Sequence, residues 1–264
     1  MACLGAGFAP AGLCLGVYCV IGGIKMSAEY LLSELKLEGK ALSIILSNDE
    51  AVAERPKDSP CTLSLLKRAL GGEILCFDGK QMSCPGAMRG MGFRDGAPKI
   101  KGGFGNFISG GAGEGFPPGE RVKMTPEIGE EMMRLQPADV LGGFEYIVVK
   151  PYEKGDSARL VTFIANPDQL AGLIQLFYYR TGEYDSVIAP LCSGCASIFR
   201  IPLGELKREK PRAVIGNVDT LARVYFDSNT FFFTVPMKAF EEMLEDAENC
   251  FFTTFNWKGV KERL

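Results

Sequence analysis

The sequence predicts an α/β (or α+β) fold: one compact domain with a mixed β-sheet and flanking helices. Three observations lead there. Short apolar runs of strand length alternate with segments whose apolar residues recur at helical spacing. Lys154-Gly155-Asp156 stands between two such runs and predicts a hairpin, which argues against an all-parallel sheet. No repeat and no low-complexity linker divides the 264 residues, and their 47% hydrophobic content is ample for one large core.

The elements follow in order. Leu42–Leu46 is a short apolar strand. Cys61–Leu70 reads as a helix with Leu63, Leu66 and Leu70 on one face, ended by Gly71-Gly72. Glu73–Phe77 is a strand, and a short helix is expected over Pro85–Met91. Residues 94–121 are rich in glycine and proline and read as a long loop or flap. Thr125-Pro126 is an N-cap followed by proline at the first helical position, with Ile128, Met132 and Leu135 expected inward. Phe144–Val149 and Arg159–Ile164 are the two strands of the expected hairpin. Asn166-Pro167-Asp168 caps a helix with Leu170, Leu173, Ile174 and Phe177 on one face. Val187–Ala189, Ala213–Ile215 and Phe231–Val235 are strands. Pro236 opens a last amphipathic helix burying Phe240, Met243, Leu244 and Ala247.

Composition excludes whole classes of chemistry. The chain has nine cysteines and no histidine. No Ser-His-Asp or Cys-His catalysis is available, nor a histidine-ligated zinc, non-haem iron or haem. A general base must be a carboxylate, lysine, tyrosine, thiolate or the substrate itself. Net charge is −3 and no run of basic residues occurs, so no nucleic-acid partner is expected. Residues 1–26 form an apolar N-terminal extension read as lying outside the fold, with Met26-Ser27 as the expected start and 27–264 as the domain. An anchor in this extension is the alternative, since Ala2–Ile24 is uncharged and long enough to span a bilayer. Without it the protein is expected to be cytoplasmic, with no membrane partner and its cysteines reduced.

The candidate sites are cysteines at helix starts. Cys84 precedes Pro85-Gly86, where free N–H groups and the helix dipole favour a thiolate, and Arg89 adds positive charge. Met88 and Met91 fall on the same face as Cys84. Cys192-Ser-Gly-Cys195 is a single C-x-x-C, able to serve a metal, a cluster or a dithiol couple. Cys61 follows Ser59-Pro60 and opens another helix. The plain alternative for each is a small buried thiol that packs. Cys76 and Cys250 read as core. The glycine-rich stretch 101–115 fits neither dinucleotide nor phosphate-loop spacing and reads as a flap. Asp219 caps a further helix. Arg223, one turn on, is read as binding a small acidic ligand, or else as pairing with Asp219 at the surface.

These blocks together resemble the archaeal and bacterial family catalogued as domain of unknown function 169. The resemblance rests on Cys61 with Lys67-Arg-Ala, Cys84-Pro-Gly-Ala…Gly92-Phe93 and Ala165-Asn-Pro-Asp-Gln-Leu170. It continues through Gly194-Cys-Ala-Ser-Ile198, Pro211–Gly216 with Asp219 and Ala222-Arg223, and Phe233-Thr-Val-Pro236. It implies that the Cys84, Cys195 and Asp219/Arg223 blocks belong to the family pattern, with Cys192 less typical, and it carries no activity. The leading expectation is a cysteine-ligated metal or iron–sulfur site, redox-linked, with Cys61, Cys84 and Cys195 as ligands and Cys192 as the fourth. Zinc is the other cofactor considered. The alternatives are a thiol enzyme using Cys84 as nucleophile and Cys195 as resolving partner, and a non-catalytic small-molecule binding or assembly module.

Overall fold

The computed structural model describes residues 23–49, 61–80, 82, 84–96, 100–111 and 119–264. Residues 1–22, and with them most of the expected extension, lie outside the described residues, as does Ser59-Pro60. In chain order the elements begin with α1 (Gly23–Glu34), β1 (Ala41–Ser47), α2 (Thr62–Leu70), β2 (Leu75–Asp78), α3 (Pro85–Gly90) and α4 (Gly103–Ile108). Next come α5 (Pro126–Leu135), β3 (Tyr146–Pro151), β4 (Leu160–Ala165), α6 (Pro167–Tyr178), β5 (Val187–Ile188) and α7 (Gly194–Ile198). The last are α8 (Arg200–Glu205), β6 (Ala213–Gly216), α9 (Thr220–Arg223), β7 (Phe231–Pro236), α10 (Met237–Asp246) and α11 (Phe255–Lys261).

The strands form one seven-stranded sheet in the order β2-β3-β1-β4-β7-β6-β5. Only β5 and β6 pair in parallel; the other neighbours are antiparallel. The fold is therefore α/β with a mixed sheet, as the sequence predicts. Because side chains alternate across a strand, each strand feeds two cores. Leu42, Ile44, Ile147, Val149, Leu160, Ile164 and Phe232 pack on one face with residues of α2, α3 and α7. Val161, Phe163, Phe233 and Val235 pack on the other with α1, α6, α10 and the C-terminal turns. The first face carries the candidate site.

Two local expectations hold in detail. Asn166 closes a capping box with Gln169, whose side-chain amide also donates to the carbonyls of Leu35 and Lys36 and so ties α6 to the end of α1. Thr125 caps α5 through a bond from the Ile128 N–H, with Pro126 at the first helical position.

Four expectations are corrected. β3 and β4 are not a hairpin, because β1 lies between them and pairs with both. β1 is apolar on both faces at most positions, which suits the middle of a sheet better than its edge. Residues 152–159 therefore cross over β1, held down where Ser43 Oγ donates to Asp156 Oδ2 at 2.6 Å. The glycine-rich stretch contains a helix, α4. Composition hides it, since glycine disfavours helix by about 1 kcal/mol per residue and packing against α5 must compensate. On α5, Ile128 and Leu135 are exposed and Gly129 is the buried residue. This helix leans on α4 through a glycine rather than on the sheet through an apolar stripe. Finally, α10 is not the last helix: two 3₁₀ turns and α11 follow, and Trp257 of α11 is buried.

Candidate functional site

Four cysteines from three segments that are far apart in sequence line one cavity. It has a volume of about 790 Å³ and a largely apolar wall, and Cys61, Cys84, Cys192 and Cys195 all contribute to it. Each arrives at or beside a helix start. Cys61 is the residue before α2. Cys84 caps α3, its Sγ accepting the Ala87 N–H at 3.4 Å. Cys195 is the second residue of α7, which Ser193 caps, and Cys192 lies just before that cap.

Two glycines let these helices close on one another. A Cβ on Gly194 would stand 2.3 Å from Leu63 Cδ1 of α2 and 2.7 Å from Ala222 Cβ of α9. A Cβ on Gly90 of α3 would stand 2.8 Å from Cys195 Cβ. Both distances are well inside van der Waals contact, so only a residue without a side chain lets α2, α3 and α9 meet α7. Asp219 strengthens the junction: its Oδ2 accepts the Gly194 N–H at 3.1 Å and its Oδ1 accepts the Leu221 N–H at 3.0 Å. It thereby caps α9 and holds the start of α7.

Burial works against the thiolate at Cys61, Cys192 and Cys195. Burial pushes the Cys61 thiol up, outweighing the Leu63 and Ser64 backbone N–H groups that favour the anion. Cys192 is pushed up to about 12 by burial first and by Asp219 second. Cys195 is raised well above the ordinary thiol value by burial, then by neighbouring Cys61, Cys84, Asp219 and Cys192. The geometry of the helix starts is as expected, but in a dry wall the cost of desolvating a charge exceeds what those N–H groups return. Cys61, Cys84, Cys195 and Asp219 thus lie within electrostatic reach of one another, and Tyr225 is hydrogen-bonded to Cys61. Among the described residues no group of three or more Cys, Asp or Glu is arranged to hold a metal ion.

The remaining wall comes from the stretch read as a flap. Ile100, Phe104, Phe107 and Ile108 of the α4 region, with Val122 and Met132, cover the cavity. Here α4 and α5 touch backbone to backbone: a Cβ on Gly129 would lie 2.7 Å from Gly105 Cα. The Gly105 N–H donates to Glu130 Oε1 at 2.7 Å. Glu120 also lines the cavity, its carboxyl pushed up to about 7 by burial first and by Asp219 second. Sequence reasoning passed over Glu120, because nothing in a glycine- and proline-rich stretch marks one carboxylate for burial. It noted Arg89 only as charge near Cys84, whereas Arg89 is itself part of the wall.

Other predicted residues lie elsewhere. Arg223 is not on the cavity wall. Its Nη1 donates to the Asn217 carbonyl and its Nη2 to the Ser228 carbonyl, and its guanidinium lies over Phe231. It pairs with its own turn rather than with Asp219. Met88 and Met91 are buried and do not reach the cavity, and Met91 packs in the core beneath it. Cys76 and Cys250 are core residues, as expected.

Fold and site together define an α/β protein with a cysteine-lined cavity. The chain matches the model of the DUF169 family, described as uncharacterised ArCR, over residues 30–246, and it belongs to that family. No curated protein and no solved structure matches it. Among the described residues no helix is long and apolar enough to cross a membrane.

Proposed function

We propose that this protein binds a small, mainly apolar molecule in the cavity, with Cys61, Cys84 and Cys195 as its reactive or ligating wall. One observation carries the reading: four cysteines from three sequence-distant segments, Asp219 and Glu120 share a single cavity whose size is that of ordinary small-molecule sites. Cys61 and Cys84 are half-buried whereas Cys192 and Cys195 are buried, so Cys61 and Cys84 are the thiols a ligand meets first. Glu120 supplies the acid–base function that a protein without histidine must draw from another side chain. The test is protection: a bound ligand should slow alkylation of Cys84, read peptide by peptide by mass spectrometry. An apolar panel that neither slows alkylation nor raises the melting temperature sinks the proposal.

A second reading places an iron–sulfur cluster on Cys61, Cys84 and Cys195. The observation favouring it is that these three sulfurs come from three separate segments into electrostatic reach of one another. Cluster iron would stabilise as thiolates the Cys61 and Cys195 sulfurs, whose anions burial disfavours. Anaerobic purification followed by visible spectroscopy and iron analysis decides it: a folded, colourless, iron-free protein rejects the cluster.

A further inference from the structure

The cavity wall contains an undercompensated buried cation. Arg89 and Arg200 are both buried, with side-chain exposures of 10% and 3%, whereas Asp95, the carboxylate they share, is 66% exposed. Arg89 Nη1 donates to the Asp95 carbonyl at 2.8 Å and to its Oδ1 at 3.4 Å, and Nη2 donates to the Met133 carbonyl at 2.5 Å. Arg200 donates to the Arg89 carbonyl at 3.0 Å and to Asp95 Oδ1 at 2.5 Å. The Nε of each arginine is buried with no hydrogen-bond partner among the described residues. An unpaired buried donor on a charged group is costly, and it leaves each guanidinium incompletely compensated by its surroundings.

Only Arg89 of the two lines the cavity, with the Phe104 ring 5.9 Å from its guanidinium carbon. The charges that act on it are Arg200, Asp95 and Glu130. Glu130 is exposed and bonded to Gly105, so it compensates Arg89 weakly. The other cavity carboxylates, Glu120 and Asp219, are not among the charges acting on Arg89. The cavity is therefore polarised, with thiols and Asp219 in one part and a guanidinium in another.

We propose that Arg89 receives the anionic group of the cavity's ligand, which makes that ligand a small organic acid: a carboxylate with an apolar body. The inference rests on the cavity being a binding site and adds the class of molecule. It also moves the acid-binding role from Arg223, which is not on the cavity wall, to Arg89, which is. A carboxylate suits the position because a guanidinium meets it with charge-assisted hydrogen bonds, while the largely apolar remainder of the wall takes its body.

Matched acids and alcohols test this: octanoate against 1-octanol, and 4-phenylbutyrate against 4-phenylbutanol, titrated calorimetrically into the full-length protein at pH 7.5. Each acid should bind about tenfold more tightly than its alcohol. Arg89→Gln should abolish that preference while leaving the alcohols bound. Should Arg89→Gln fail to fold, Asp95→Asn provides the second measurement. Removing an exposed carboxylate that partly neutralises Arg89 should raise the preference for the acid about threefold. Alcohols that bind as tightly as the acids, or an Asp95→Asn protein with no greater preference, overturn the role of Arg89 and leave the cavity reading standing. Failure of all four compounds to bind overturns the cavity reading, and this inference with it.

Discussion

Glu120 shows how one side chain reports on the whole cavity. Its carboxyl is raised from 4.5 to about 7, so the folded protein holds the proton more tightly than the unfolded chain does. Rising pH between those two values ionises the unfolded state first and draws the equilibrium towards it. The contribution of Glu120 is thus fully retained at low pH and lost as pH climbs through 7. Glu120→Gln has no proton to give up and should lack that part of the decline. Urea midpoints at pH 5 and pH 8 check this: the wild-type midpoint should fall further between the two than that of the variant. Equal falls would place Glu120 in water. The cysteines obey the same balance. Their helix-start positions were legible in the sequence from Pro60-Cys61 and Cys84-Pro85. The raised thiols of Cys61 and Cys195 were not, because burial is a property of neighbours contributed by remote segments.

At the scale of elements, the decisive contacts are between helices too short to be stable alone. α3, α4, α7 and α9 have six residues or fewer, and a helix of that length forms only when packed. Glycines at the crossings allow backbones to approach more closely than any side chain permits. α4 is the clearest case: it covers the cavity because Gly105 lies against Gly129 of α5. Gly129→Val should push α4 away at a cost of about 1–3 kcal/mol. The consequence to measure is faster reaction of Cys84 with N-ethylmaleimide in the folded protein. An unchanged rate would mean that α4 does not control access. Helices α5 and α6 could be placed from their caps, Thr125 and Asn166, since a cap is a local hydrogen-bond pattern. α4 could not, since glycine content argues against helix and only its contact with α5 argues for it.

Across the whole molecule, the sheet separates two cores with different duties. One face holds the helices that carry the cavity, and the other is closed by α1, α6, α10 and the C-terminal segment. Trp257, only 2% exposed, packs against Phe251 and Phe252, and its Nε1 donates to Glu34 Oε1 at 3.1 Å. A Cβ on Gly172 of α6 would come within 2.7 Å of its ring. Phe251, Phe252 and Trp257 lie beyond the stretch matched to the family, yet they seal the second core. Trp257→Ala should cost about 3–5 kcal/mol, read as a shift in the denaturation midpoint. Near-wild-type stability would show α11 to be dispensable.

The sequence by itself determined the α/β class, most strands, the capped helices, the family, and the segments that bring cysteines to helix starts. Each of these depends on local chemistry: apolar periodicity, a capping side chain, a proline that sets a helix start. Tertiary structure alone decided that β1 separates β3 from β4, that α4 is a helix, that Arg89 rather than Arg223 faces the cavity, and that burial raises the thiols of Cys61, Cys192 and Cys195. Those outcomes turn on which distant surfaces exclude water together, and exclusion of water is a joint property of segments that no local window contains.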